Sequence, residues 1–108
     1  MIEESRSIVL SDKELLVALA PLVEDAGIEN PESPKSINIG HDDLGEIVVN
    51  LSYEGKKEPI TFDHMEAGRA ILHHCIAQRI PLPRGSHKEL ALRGDQLALI
   101  VRIITGDE

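Results

Sequence analysis

The stretch Glu58–Arg84, EPITFDHMEAGRAILHHCIAQRIPLPR, decides how the rest of the chain is read. It opens with a short apolar run, Ile60 to Phe62, behind a proline. Proline has no backbone N–H to give a sheet ladder, so a strand here starts after Pro59 or lies at an edge. Asp63 follows, with Glu66 three residues on, the pattern of a helix start in which the cap side chain and the third-residue carboxylate satisfy each other's backbone donors. The spacing predicts a helix from about His64 to Arg79, with Met65, Gly68, Ile71, Leu72, Cys75 and Ile76 on one apolar stripe. Gly68 costs about 1 kcal/mol against alanine inside a helix, so its place on that stripe suggests close approach of another element. Pro81 and Pro83 then force the chain out into an extended segment.

Strands flank this unit on both sides. In Glu46–Tyr53, Ile47, Val49, Leu51 and Tyr53 alternate onto one face. A two-residue type II′ turn at Gly55-Lys56 pairs Leu51 with Ile60 and Val49 with Phe62. Downstream, Lys88–Leu92 and Leu97–Ile104 form a second hairpin around Gly94-Asp95, pairing Leu92 with Leu97 and Leu90 with Leu99. The last strand is apolar on both faces, since Ile100 and Ile104 lie opposite Leu97, Leu99, Val101 and Ile103. It is expected either at the centre of a sheet or under a partner.

Upstream, Ser7–Leu10 reads as a short strand and Ser11-Asp12-Lys13-Glu14 as another capped helix start. The helix runs to about Ala20. It is apolar nearly all round, which predicts burial on more than one side. Pro21 is expected to kink or break it, a turn resumes at Leu22–Asp25, and Gly27 is a good stop. Residues 29–36 are a proline-containing linker, too short to divide domains; Ser36–Ile39 is a candidate strand and His41–Gly45 a polar turn. No internal repeat is visible. The element order is that of one α+β domain over residues 1–108: a two-layer sandwich in which a small antiparallel or mixed sheet, built from two hairpins, carries two helices on one face, with a disordered tail at about 105–108.

With 108 residues there is enough chain for one core. The only aromatic residues are Tyr53 and Phe62, so the core is aliphatic and base-stacking platforms are absent. The net charge of -8 disfavours nonspecific binding to nucleic acid or anionic membrane. It is unevenly spread: residues 1–63 carry 14 acidic against 5 basic side chains, a net of -9, and residues 64–104 carry 3 against 6, a net of +3. The single cysteine excludes a disulfide framework or a multi-cysteine zinc site. The acidic opening without an apolar run, and the shortness of every apolar run, point to a soluble cytoplasmic protein with no membrane partner.

His73-His74-Cys75 has the residue types of a metal or nucleophile cluster. Neighbours on a helix diverge by ~100°, however, and the i, i+4 pairing of a helical metal site is absent. His41, Asp42, Asp43 and His64 could meet as metal ligands at strand ends, but acidic residues in turns and helix starts have ordinary capping roles. Arg93-Gly94-Asp95 is a hairpin turn. No catalytic motif, cofactor fingerprint or phosphate loop is present.

These residues lead to a small non-enzymatic protein-interaction or adaptor module that self-associates as a homo-oligomer, through Leu16 and Leu19 of the apolar helix and Ile100 and Ile104 of the last strand. The alternative is binding of an anionic partner, nucleic acid or phosphate ligand, by Arg69, His73, Arg79, Arg84, His87 and Lys88 around the proline-rich exit. A small metal-dependent enzyme using His41, His64 or His73 is a third reading. No cofactor, catalytic residue or metal site is expected.

Overall fold

The structure is a computed structural model and describes residues 1–106. Its elements are β1 (Ile2–Leu10), α1 (Asp12–Asp25), β2 (Ser36–His41), β3 (Ile47–Ser52), β4 (Ile60–Phe62), α2 (His64–Ala77), β5 (His87–Arg93) and β6 (Gln96–Thr105). The α+β class and both expected hairpins are present. The strands divide into two antiparallel sheets of three, ordered β1-β6-β5 and β2-β3-β4, rather than joining in one. A lone hairpin is marginal in water, and in each sheet a third strand completes the apolar face. Side chains of both helices and both sheets share one core cluster.

Both helices start where their sequences place them, but the reciprocal box is complete only in α2, because the Glu14 carboxylate of α1 bonds His74 rather than reaching back to Ser11. Ser11 Oγ accepts the N–H of Glu14 at 3.2 Å, and Asp63 and Glu66 form a complete capping box. They also end alike. Gly27 N–H donates to Glu24 O and Ile28 N–H to Val23 O; Arg79 N–H donates to Ile76 O and Ile80 N–H to Cys75 O. Each is a Schellman ending, which places its residue after the cap in the left-handed region. Gly27 takes φ +88° without penalty, whereas Arg79 takes φ 60° with a side chain.

The element order is β-α-β-β twice. Each sheet combines the hairpin of one half with the leading strand of the other: β1 joins β6 and β5, and β4 joins β3 and β2. The registers match as well. Across the first sheet run the rows Ile8–Leu99–Leu90 and Leu10–Leu97–Leu92. Across the second run Ile60–Leu51–Ile37 and Phe62–Val49–Ile39. A shift of 52 residues carries Ser11 onto Asp63, Leu15 onto Ala67, Leu19 onto Ile71, Val23 onto Cys75 and Gly27 onto Arg79, so caps, buried positions and helix ends coincide. The chain therefore has a structural repeat where its sequence shows none.

Several expectations shift. α1 continues through Pro21 to Asp25, because Leu19, Ala20 and Val23 on either side of it are buried and hold the turn that proline weakens. The buried stripe of α2 is Ala67, Ile71 and Cys75; Met65 and Ile76 face outward, since the helix is set against β3, β4 and α1 by its small residues. A Cβ on Gly68 would lie 3.9 Å from Leu90, so no strand approaches closely enough to demand glycine there. The β3–β4 register is the expected one, but the turn is Tyr53–Lys56 with Gly55 third at φ +83°, not a two-residue loop at Gly55-Lys56. β2 extends to His41 and pairs with β3, so the polar turn closes a third hairpin. Thr105 is still in β6, opposite Ile2; Asp107 and Glu108 of the expected tail lie outside the described residues.

Candidate interaction surfaces

The six basic candidates do not converge. Arg69 and Lys88 line a cleft of about 410 Å³ where α2 crosses the seam between the sheets, with Glu46, His64 and Glu89 on the same walls. Acidic side chains thus share the cleft with the cations, and Lys88 Nζ already donates to Ser86 O at 3.2 Å. Arg69 also borders, together with His73 and Glu66, a second groove of about 670 Å³ between the helices, over Val17, Ala18, Pro21 and Ala70. Arg79 occupies the end of α2, Arg84 an exposed loop, and His87 the start of β5 beside Arg102. The sequence placed these cations close together along the chain; the turn after α2 and the strand alternation in β5 send them to different surfaces.

His73, His74 and Cys75 diverge as helical geometry requires. His74 Nε2 donates to Glu14 Oε2 at 2.7 Å, tying α2 to α1. Cys75 is buried, which pushes its thiol pKa up and leaves it less nucleophilic. Burial likewise raises the pKa of Tyr53, whose hydroxyl donates to Pro31 O at 2.6 Å and pins the linker to the core. Asp42 is spent on its turn, where its Oδ1 accepts the N–H groups of Leu44 and Glu46. Among the described residues, no three His, Cys, Asp or Glu side chains come together as metal ligands would.

Of the four residues expected to mediate self-association, three are enclosed within the chain. Leu16 and Leu19 are buried in the helix-sheet core. Ile100 is buried because β6 is the central strand and Arg93, on β5, donates to Ser7 Oγ on β1, so its arm passes over β6. Arg102 is paired with Glu89 on the same face. Only Ile104 stays open, at 60% exposure.

The surface missed from sequence is β1. It runs from Ile2, not Ser7, and is hydrogen-bonded to β6 on one side only. Glu3-Glu4-Ser5-Arg6 is polar on both faces, so no alternation marks it as a strand; its partner β6, too long for the seven residues of β5, was the available signal. Beyond the reach of β5, Ile2–Glu4 pair with Ile103–Thr105 as a two-stranded ribbon. The molecule measures 56 × 31 × 20 Å, with a radius of gyration of 15.1 Å against about 13 Å for a compact domain of this length. Among the described residues, no helix is long and apolar enough to cross a membrane. Compared with protein-family models, curated proteins and solved structures, the chain matches none of them.

Proposed function

We propose that this chain is a small, non-enzymatic interaction module of the cytoplasm that acts by associating with itself. The supporting observation is the open edge of β1, which is hydrogen-bonded to β6 on one side only and has exposed apolar side chains along and beside it. Of eight large apolar residues left exposed among the described residues, Ile2 and Val9 lie on β1, Met1 immediately before it and Ile104 on the adjoining end of β6. An open strand edge offers unpaired N–H and C=O groups as a template for another strand, and natural edges of this length are usually shortened, bulged or interrupted by proline. β1 is neither short, bulged nor broken by proline over its nine residues, and the charges on its edge, Glu3, Glu4 and Arg6, are of mixed sign, so they repel a second copy only in some registers. The basic residues of the second half show no comparable concentration, so nucleic acid or a phosphate ligand receives no separate reading. Sedimentation velocity over about 1 to 100 μM, a range in which weak to moderate self-association registers, is expected to show a reversible, concentration-dependent oligomer. A single monomeric species throughout overturns the proposal.

A further inference from the structure

Self-association leaves open which surfaces meet, and the edge of β1 carries a pattern that answers this. We infer that two copies pair antiparallel along β1, about a two-fold axis through Ser5, making one six-stranded sheet β5-β6-β1-β1-β6-β5. The inference rests on the self-association just proposed and adds its surface and register.

A two-fold axis relating antiparallel edge strands stands perpendicular to the sheet, so it superimposes a residue on its own copy and pairs residues equidistant from it. Few centres are available in Ile2–Leu10, and charge separates them. Centring on Glu4 stacks the two Glu4 carboxylates, and centring on Arg6 stacks the two guanidinium groups; like charges directly opposite destabilise a strand pair. Centring on Ser7 sets Arg6 against Ile8 and Glu4 against Leu10. Centring on Ser5 sets Glu4 of each copy against Arg6 of the other, twice, and Ile2 against Ile8, twice, with Ser5 on Ser5 and Glu3 on Ser7. It also brings Met1 over Val9, which are 79% and 46% exposed.

The side chains are free to do this. Among the described residues, neither Glu4 nor Arg6 has an ion-pair partner, and both are exposed on the same face of β1 as Ile2 and Ile8. Most of the paired stretch, residues 2–7, is also the part of the first half that the repeat does not duplicate. β4 has three residues behind Pro59 and covers only the core, whereas β1 runs on well past it.

Charge exchange tests the register. Glu4→Arg and Arg6→Glu each turn two attractive cross-strand pairs into repulsive ones and are expected to weaken the dimer roughly tenfold or more. Combining them restores opposite pairing and is expected to recover the dimer. Both sites are exposed, and far-UV circular dichroism checks that each variant folds. Ser5→Cys supplies a second readout. Across a two-fold centred on Ser5 the Cα atoms stand about 4.5–5.5 Å apart, within disulfide reach, so mild oxidation is expected to give a covalent dimer. Ser7→Cys places its copies far apart and is expected to give none. If the wild type dimerises but the charge variants leave its Kd unchanged, or Ser7→Cys cross-links in place of Ser5→Cys, this register is wrong while self-association stands. If the wild type is monomeric, both fall.

Discussion

The two halves of the chain use the same β-α-β-β order and matching 14-residue helices, yet their leading strands have nine residues in β1 and three in β4. In both, the residues next to the helix do the same work: Ile8 and Leu10 in one sheet, and Ile60 and Phe62 in the other, face the shared core. What β1 adds, residues 2–7, contributes no buried side chain. Pro59 stops the equivalent extension of β4, because it lacks a donor and restrains the residue before it. The shared portion is thus what the core requires. The surplus needs another reason, and a strand edge is best suited to pairing with a strand.

The repeat makes its strongest claim in the core. Leu19 and Ile71 occupy the same place in their helices, both fully buried. Truncating either to alanine removes three carbons from a packed site and leaves a cavity, at a cost of about 2–5 kcal/mol. If the halves are equivalent, Leu19→Ala and Ile71→Ala should lower the urea midpoint by similar amounts in one cooperative transition. A difference of more than about 2 kcal/mol, or a biphasic curve for one variant only, would mean that the halves carry the core unequally.

The helix ends offer a smaller and more pointed comparison. The same left-handed position is filled by Gly27 in α1 and Arg79 in α2, and a side chain there costs about 1 kcal/mol. Arg79→Gly is therefore expected to stabilise the protein by at most about 0.5 kcal/mol after the added flexibility of glycine in the unfolded chain is counted. Gly27→Ala is expected to destabilise it by a similar amount, since nothing but backbone strain opposes the new methyl group. Loss of stability in Arg79→Gly would show that the guanidinium makes a contact that outweighs its strain.

The same comparison explains how much could be read without coordinates. Caps, helices and the hairpins around β3–β4 and β5–β6 follow from local rules, and the pairings of Leu51 with Ile60 and Leu90 with Leu99 came from alternation and turn position. The repeat was hidden because core positions need only be apolar and of workable size. Between residues 8–28 and 60–80 just four positions are identical, Ile8/Ile60, Glu14/Glu66, Ala18/Ala70 and Ile28/Ile80. The exchange of leading strands between sheets was hidden too, since no local signal says which distant hairpin a strand joins. The basic cluster was a true pattern in the chain that the fold spreads over several surfaces, whereas the doubly apolar last strand took one of the two places expected of it, the centre of a sheet. Alternation divides neighbouring cations between faces, and a central strand buries both of its own.

The loops that close the β2–β3 and β5–β6 hairpins differ most in chemistry, and pH separates them. Gly94-Asp95 is a two-residue turn whose positive φ falls on glycine. The other is held by Asp42: its Oδ1 accepts Leu44 N–H at 2.8 Å and Glu46 N–H at 3.0 Å, and its own N–H donates to Glu46 O at 2.9 Å. The bond from Glu46 is the main reason that the Asp42 carboxyl sits below its usual pKa, with Leu44 and the nearby His64 and His41 assisting. A carboxyl lowered by folding contributes fully above its unfolded value of about 3.9, and that contribution fades as pH falls through the lower folded value. Acidification from about pH 5 to about pH 2 is therefore expected to loosen the first hairpin's loop while the second keeps its geometry. Amide exchange at Leu44 and Glu46, corrected for intrinsic rates, should rise over that range, with Gln96 unaffected. Asp42→Asn keeps an oxygen acceptor without the titration, so its corrected exchange at Leu44 and Glu46 should be flat; a rise as steep as in the wild type would place the acid-sensitive group elsewhere.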